Sequence, residues 1–173
     1  LVIAILGLSL HNFLTKKENT IHLPIGRMVD IGGYNLHMLE SGLESSPHPT
    51  VVLDMGIGGN LLYWSQVQSE VSKFAKVVSY DRGGIGWSDE SPLPRTSENI
   101  VFELNKLLEN SGIKPPYILV GHSFAGINAR VFANKYPDKV SAVVLVDSSH
   151  EMQLRSDIPK CQDLTSKLLR NEF

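Results

Sequence analysis

Short, continuous runs of apolar residues recur through the middle of the chain, and glycine or proline bounds them. Such runs are typical of strands that are buried on both faces of a parallel sheet. The runs occupy residues 51–53, 77–78, 117–120 and 142–146. Between them, apolar residues recur at helical spacing, which predicts helices that cover the sheet. The predicted helices span residues 61–74, 97–110 and 124–136.

Each predicted helix has an apolar stripe that we expect to face the sheet. The first stripe comprises Leu62, Val67, Val71 and Phe74. The second comprises Ile100, Val101, Leu104, Leu107 and Leu108, and the third comprises Ile127, Val131 and Phe132. Gly112 and Pro137 follow the last two patterns, at positions where these residue types end helices.

A hairpin is predicted ahead of the first apolar run. Residues 28–31 suit a strand, Gly32 and Gly33 suit a two-residue turn, and residues 34–40 alternate as the partner strand. The predicted fold class is therefore α/β, a doubly wound, mostly parallel sheet with an N-terminal antiparallel hairpin, over residues 26–150. The alternation places Tyr34, Leu36 and Met38 on one face and Asn35 and His37 on the other.

The first 25 residues differ in character from this domain. Residues 1–14 are predominantly apolar, and residues 15–25 indicate a linker. The apolar stretch is shorter than the roughly 20 residues that span a bilayer, and it matches a signal-peptide core or the remnant of an anchor helix. The lack of small residues at a cleavage spacing favours the anchor, and a helix packed on the domain is the alternative. We therefore expect a membrane-anchored or extracytoplasmic protein, associated with the membrane through residues 1–14, or otherwise a cytoplasmic one.

Composition narrows the function classes. The 173 residues carry a formal net charge of −2, and 42% of them are hydrophobic and 20% charged. These values exclude long disorder, and without an excess of Lys and Arg there is no reason to expect a nucleic-acid partner. Cys161 is the one cysteine in the sequence, which excludes an internal disulfide and a cysteine-based zinc site.

The strongest functional motif lies where the apolar run 117–120 leads into a helix, in the sequence YILVGHSFAG. Ser123 stands at the turn, with Gly121 two residues before it and Ala125 two residues after it. A nucleophile on such a turn adopts strained backbone angles, and its flanks approach so closely that only glycine or alanine fits there. The next amide, that of Phe124, lies at a helix N-terminus, where developing negative charge is stabilised. The motif predicts a serine nucleophile, and an ordinary serine in a strand–helix loop is the alternative.

A second motif, VVLDMGIGG at residues 51–59, is a strand that ends in a glycine-rich loop. Glycines let backbone amides turn towards a ligand. In a serine hydrolase this loop supplies the second oxyanion donor, for which the Ile57 amide is the candidate. A phosphate cradle is disfavoured because neither glycine pattern that binds nucleotides occurs here, and a plain turn is the remaining alternative.

A third glycine-rich segment, YDRGGIGWSD, occupies residues 80–89. Asp81 and Arg82 are chemically capable of catalysis. We favour a structural role, in which side-chain-to-backbone hydrogen bonds hold the loop and glycines permit its bends.

In this order and spacing, the segments VVLDMGIGG, YDRGGIGWSD, YILVGHSFAG and AVVLVDSSHE resemble the α/β-hydrolase fold superfamily over residues 26–151. The likeness is greatest to bacterial single-domain members with a small cap, whose beginning residues 151–173 resemble. The resemblance implies that Ser123 is the nucleophile and that the amides of Ile57 and Phe124 form the oxyanion hole. It also implies hydrolysis of esters or related acyl compounds with no cofactor and no metal.

The triad of this fold has the chain order serine, acid, histidine. His150 is the one histidine after Ser123, and Asp147 precedes it by three residues. An acid and a base so close on one loop rarely place the acid behind the imidazole, so this pair is a poor candidate. In the family the acid and the histidine follow the last two strands. We therefore expect both to lie beyond residue 173, and the chain to be C-terminally incomplete and inactive by itself.

The sequence thus predicts a serine hydrolase that forms an acyl-enzyme at Ser123 with a small-molecule ester or acyl substrate. The alternative is a truncated or degenerate hydrolase fold that binds a ligand without catalysis. The missing histidine motivates this alternative, as does Ala125, which stands where the elbow pattern usually has glycine.

Overall fold

The computed structural model describes residues 24–150 and residue 152. Its strands form one six-stranded sheet in the order β1-β2-β4-β3-β5-β6. The first two pairings across the sheet are antiparallel, and β4, β3, β5 and β6 run parallel. This arrangement confirms the predicted fold class. The strands are β1 (Arg27–Asp30), β2 (Asn35–Ser41), β3 (Thr50–Asp54), β4 (Val77–Tyr80), β5 (Tyr117–His122) and β6 (Val140–Val146).

Three α-helices connect the strands within the described residues: α1 (Ser65–Val71), α2 (Ser97–Asn110) and α3 (Ala125–Lys135). Helix α2 has the bounds that the sequence predicts, because its local signals agree. The Thr96 side chain accepts a hydrogen bond from the Asn99 amide at 3.3 Å and so caps the first turn. Gly112 follows the helix at φ +74°, a left-handed conformation that glycine adopts without strain.

The core lies in two layers, one on each face of the sheet. The larger cluster packs side chains of α2 and α3 against the sheet, and all five residues of the predicted α2 stripe are buried. The smaller cluster lies on the opposite face, where Trp64 and Ala75 cover Val51, Leu53 and Val77. Two covered faces make the central strands a rigid platform whose carboxyl ends carry the loops of interest.

The predicted stripe of the first helix is wrong at three of its four residues, whereas Val71 packs against the smaller cluster as predicted. The segment starts as a 3₁₀ turn (Leu61–Trp64), and only then continues as α1. A 3₁₀ turn has three residues per turn, so it shifts the phase of the side chains that follow. Leu61, Trp64 and Gln68 are buried, whereas Leu62, Val67 and Phe74 are exposed. Gln68 tolerates burial because its amide nitrogen donates to the Leu39 carbonyl and its oxygen accepts from Ser79.

Two burial predictions for strands are also wrong. Strand β6 pairs with β5 as expected, but it is the last strand of the described sheet, and Val144 and Leu145 are 45% and 47% exposed. His37 was expected on the polar face of the alternation, yet it is completely buried. It lies on β2, whose second face is covered by the loop that follows β4, as Asp81 and Trp87 contact the ring.

Three predicted segments lie wholly or mostly outside the described residues. They are the apolar segment 1–14, the linker 15–25 except for its last two residues, and the cap region 151–173 except for residue 152. Among residues 24–150 and 152, no helix is long and apolar enough to cross a membrane. Membrane association through residues 1–14 stays a prediction.

Candidate active site

Ser123 lies at a sharp turn between β5 and α3, as the sequence predicts. Its φ of +52° is left-handed, which is rare for a residue with a Cβ. Such a conformation costs on the order of 1–3 kcal/mol and persists only where the surroundings enforce it. Here the Ser123 amide donates to the Val146 carbonyl at 3.1 Å, and its carbonyl accepts from the amides of Gly126 and Ser149, each at 3.0 Å. Backbone hydrogen bonds thus hold the residue in place from β6, from the segment after β6 and from α3.

The flanks of Ser123 approach each other more closely than the sequence pattern requires. A Cβ on Gly121 would lie 2.6 Å from the Ala125 carbonyl oxygen and 2.8 Å from the Gly126 nitrogen. Position 121 therefore accepts glycine alone, not glycine or alanine. Ala125 fits at its own position, fully buried.

The loop after β3 meets this turn at the carboxyl edge of the sheet. A Cβ on Gly56 would lie 3.1 Å from Ser123 Cβ, 3.2 Å from His122 Nδ1 and 3.5 Å from Ser123 Oγ. The side chain of Ile57 is 81% exposed. Neither the Ile57 nor the Phe124 amide donates to an acceptor within the described part of the chain. The structure therefore brings the predicted oxyanion loop and Ser123 together, and it leaves both predicted donors available.

Arg82 connects the loop after β4 to the loop after β3. Its side chain is buried, and Nη1 donates to Asp54 Oδ1 at 2.9 Å and to the Met55 carbonyl, while Nη2 donates to the Gly56 carbonyl. The guanidinium also lies 5.8 Å from the centroid of the Phe124 ring. Burial raises the pKa of the Asp54 carboxyl, and Arg82 beside it opposes that rise. The sequence offered no signal for these contacts, because 28 residues separate the partners.

Asp81 organises the rest of this loop. Its carboxylate accepts from the Leu61 amide at 2.8 Å, from the Trp87 amide at 3.2 Å, and from His37 Nδ1 at 2.8 Å. A Cβ on Gly86 would lie 2.2 Å from Asp81 Oδ2, so glycine is needed there. These contacts confirm that side-chain-to-backbone hydrogen bonds hold the loop.

The segment after β6 also lies beside the turn, because the Ser149 amide donates to the Ser123 carbonyl. Asp147 is exposed at φ +42°. In His150, Nδ1 accepts a hydrogen bond from the Met152 amide at 3.1 Å. A neutral ring that accepts at Nδ1 carries its proton on Nε2, whereas a triad base needs the opposite tautomer. The pairing of Asp147 with His150 as acid and base gains no support from this geometry.

A groove of about 540 Å³ opens next to the turn and the oxyanion loop. Its apolar walls are Ile57, Ile85, Ile100 and Phe124, and its charged members include Glu90 and Arg95. Arg95 is paired with the buried carboxylate of Glu103. Among residues 24–150 and 152, no group of three His, Cys, Asp or Glu side chains is arranged to hold a metal ion.

Comparison with known proteins gives a consistent result. A family model described as alpha/beta hydrolase fold matches residues 49–169. The chain is 33% identical over 139 residues to the uncharacterised protein YbdG of Bacillus subtilis, an alignment that covers 79% of this chain and 42% of that protein.

Two solved structures show the same fold. The enol-lactonase from Burkholderia xenovorans superposes with a TM-score of 0.66 at 24% identity, covering 71% of this chain and 47% of the lactonase. A marine microorganism esterase superposes with a TM-score of 0.63 at 21% identity, covering 78% of this chain and 48% of the esterase. The chain spans less than half the length of these relatives. With residues 49–169 matched and the predicted sheet in place, the chain belongs to the α/β-hydrolase fold family.

Proposed function

We propose that this chain carries the nucleophile and the oxyanion hole of a serine hydrolase that acts on carboxylic esters or related acyl compounds. The observation that carries the proposal is the left-handed Ser123 between β5 and α3, in contact with a loop whose Ile57 amide has no acceptor within the described residues. Strain of this kind clusters at functional sites. The names of two structural neighbours, an enol-lactonase and an esterase, agree with ester chemistry.

In the proposed mechanism, Ser123 Oγ attacks the carbonyl carbon of the substrate. The carbonyl oxygen becomes an oxyanion, and the amides of Ile57 and Phe124 donate to it. Collapse of this intermediate breaks the bond to the leaving group, which departs with a proton as an alcohol. Water then attacks the acyl-enzyme, the acid is released and the Ser123 hydroxyl is restored.

The groove next to Ser123 favours substrates with an apolar acyl or alcohol part. Ile57, Ile85, Ile100 and Phe124 give it apolar walls, and burial of apolar surface favours binding by about 25 cal/mol per Å². Arg82 and Arg95 also line the groove, but their charges are paired with Asp54 and Glu103. The exposed carboxylate of Glu90 would therefore disfavour a substrate that carries a carboxylate there. We therefore expect uncharged esters to react faster than anionic ones of the same length.

The attack on the substrate requires a base that takes the proton from Ser123 Oγ. His150 does not offer the needed tautomer in this geometry, and we expect the base to be supplied by a histidine other than His150. The alternative function, a hydrolase fold that binds a ligand without catalysis, predicts that Ser123 has no enhanced reactivity.

The test is covalent labelling of the full gene product by a fluorophosphonate, combined with the release of p-nitrophenol from p-nitrophenyl butyrate. We expect labelling at Ser123, and we expect the Ser123→Ala variant to lose both labelling and turnover. Ser141→Ala is the matched control, because Ser141 lies exposed on β6 away from the turn. Wild-type protein that is folded but not labelled would contradict the proposal and favour the ligand-binding alternative. Loss of labelling in His150→Ala would instead identify His150 as the base.

A further inference from the structure

We propose that Arg82 is a positioning residue, whose guanidinium fixes the direction of the Ile57 amide and so sets the strength of the oxyanion hole. This inference rests on the proposed function, because it concerns the same site. Arg82 lies at the groove, but its Nη1 and Nη2 donate to the carbonyls of Met55 and Gly56, in the backbone of the loop after β3.

The contacts of Arg82 are concentrated on one short segment. The side chain is 7% exposed, and it donates to the carbonyls of Met55 and Gly56 and to the carboxylate of Asp54. Three consecutive residues, the last of β3 and the first two of the oxyanion loop, thus accept from one guanidinium. A planar group with donors in a fixed fork can serve such a set, whereas an ammonium group offers one centre on a flexible stem.

The geometry of a peptide bond connects these contacts to the oxyanion hole. The bond between Gly56 and Ile57 is trans, and in a planar trans peptide the C=O and the N–H point in opposite directions. The Gly56 carbonyl is directed at Arg82, and it also accepts from the Gly59 amide at 3.2 Å. The Ile57 N–H must therefore point away from Arg82.

The peptide that Arg82 fixes belongs to a loop that passes directly beside the nucleophile, because a Cβ added to Gly56 would lie 3.1 Å from Ser123 Cβ. Hydrogen bonds weaken steeply when they depart from linearity, so a rotation of this peptide would weaken the bond that the Ile57 amide donates. A charge-assisted bond to the Gly56 carbonyl also polarises the peptide and strengthens its N–H as a donor. Direction and strength of the Ile57 donor thus both depend on the guanidinium.

Asp54 makes the buried guanidinium tolerable in the fold. A buried unpaired arginine is strongly destabilising, and the Asp54 carboxylate at 2.9 Å supplies the opposite charge. Asn128 Nδ2 lies 3.4 Å from the second oxygen of this carboxylate. Arg82 and Asp54 can therefore be replaced together by neutral residues without leaving an uncompensated charge.

The test uses two variants of the full gene product. Arg82→Lys keeps the charge but loses the fork, and the double variant Arg82→Gln with Asp54→Asn removes both charges together. Arg27→Lys is the matched control, because Arg27 is paired with Glu40 on the surface, at the hairpin. The measurements are kcat and KM for p-nitrophenyl butyrate, the affinity for a boronic acid that forms a tetrahedral adduct with serine, and the melting temperature.

We expect both variants to lose on the order of 10²-fold in kcat, the effect of losing one oxyanion donor. The KM should stay within about threefold, since the bound substrate in its ground state has no oxyanion for the Ile57 amide to stabilise. Affinity for the boronic acid should fall by the same factor as kcat, and Arg27→Lys should match the wild type in all three measurements.

Three other outcomes overturn the inference and can be told apart. If the wild type shows turnover that depends on Ser123 and both Arg82 variants keep their kcat, the positioning role is wrong and the proposed function stands. If kcat and KM change together with a large drop in melting temperature, and boronate affinity does not follow kcat, Arg82 is structural only. If the folded wild type shows no Ser123-dependent turnover, the proposed function fails and this inference fails with it.

Discussion

Replacement of Ser123 by glycine should stabilise the protein while it removes the proposed nucleophile. The reason is the left-handed φ of +52°, a conformation that glycine adopts freely and that strains any residue with a Cβ. The backbone hydrogen bonds to Val146, Gly126 and Ser149 do not involve the Ser123 side chain, so the substitution leaves them intact.

The magnitude follows from comparison with Ser123→Ala, which also removes the hydroxyl but keeps the strain. A left-handed conformation costs a residue with a Cβ about 1–2 kcal/mol relative to glycine. The unfolded chain is more flexible with glycine than with alanine at this position, and this flexibility offsets about 0.4–1 kcal/mol of the stabilisation. We therefore expect Ser123→Gly to exceed Ser123→Ala by about 0.5–1 kcal/mol in free energy of unfolding.

The assay is urea unfolding of the two variants, followed by tryptophan fluorescence and far-ultraviolet circular dichroism. The midpoint of Ser123→Gly should lie higher than that of Ser123→Ala at the same slope, since an unchanged slope shows that the same surface is exposed on unfolding. Both variants should be inactive.

Ser69 provides the control pair. It lies exposed on helix α1, where glycine is about 1 kcal/mol less favourable than alanine. At position 69 the glycine variant should therefore have a lower free energy of unfolding than the alanine variant, whereas at position 123 it should have a higher one. A Ser123→Gly variant that is less stable than Ser123→Ala would refute the assignment of strain to this turn.

Two further predictions concern stability. The Gly121→Ala substitution places a Cβ 2.6 Å from the Ala125 carbonyl oxygen. It should reduce the free energy of unfolding, measured by urea titration, by about 2–3 kcal/mol. A reduction below about 1 kcal/mol would contradict the close approach of the two backbone segments. The amides of Gly32 and Gly33 hold the pKa of the Asp30 carboxyl below its usual range. The charged Asp30 carboxylate therefore stabilises the fold at a pH above the carboxyl's pKa in the unfolded chain, and this stabilisation is lost as the pH falls through the carboxyl's pKa in the folded protein. The Asp30→Asn variant should therefore have a lower melting temperature than the wild type at neutral pH and the same melting temperature in strong acid.

Features that depend on neighbouring residues could be predicted from the sequence. Helix α2 has the predicted bounds, because its apolar spacing, the Thr96 cap and the terminal Gly112 are all local. The turn at Ser123 was predicted for the same reason, since the clash that demands a small residue at position 121 involves residues four and five positions away. The order of motifs also predicted the family.

Burial that depends on distant partners could not be predicted. In the first helix, Gln68 faces inward because the backbone of β2 and a hydroxyl on β4 satisfy its amide, and no local period encodes those partners. His37 is buried for a similar reason, because Asp81 lies 44 positions away along the chain. Position in the sheet decides the exposure of β6, which has the composition of a central strand.

The fold class, the strained turn and the residue at its apex could all be read from the amino-acid sequence. Each of these depends on steric and periodic rules that act within a few residues. The contacts that hold the proposed oxyanion loop are visible only in the folded protein: the Arg82 guanidinium binds the carbonyls of residues 55 and 56, and the Asp54 carboxylate neutralises it. These contacts form because parallel strands bring their carboxyl ends to one edge of the sheet, where side chains far apart in the chain meet in a buried, low-dielectric contact.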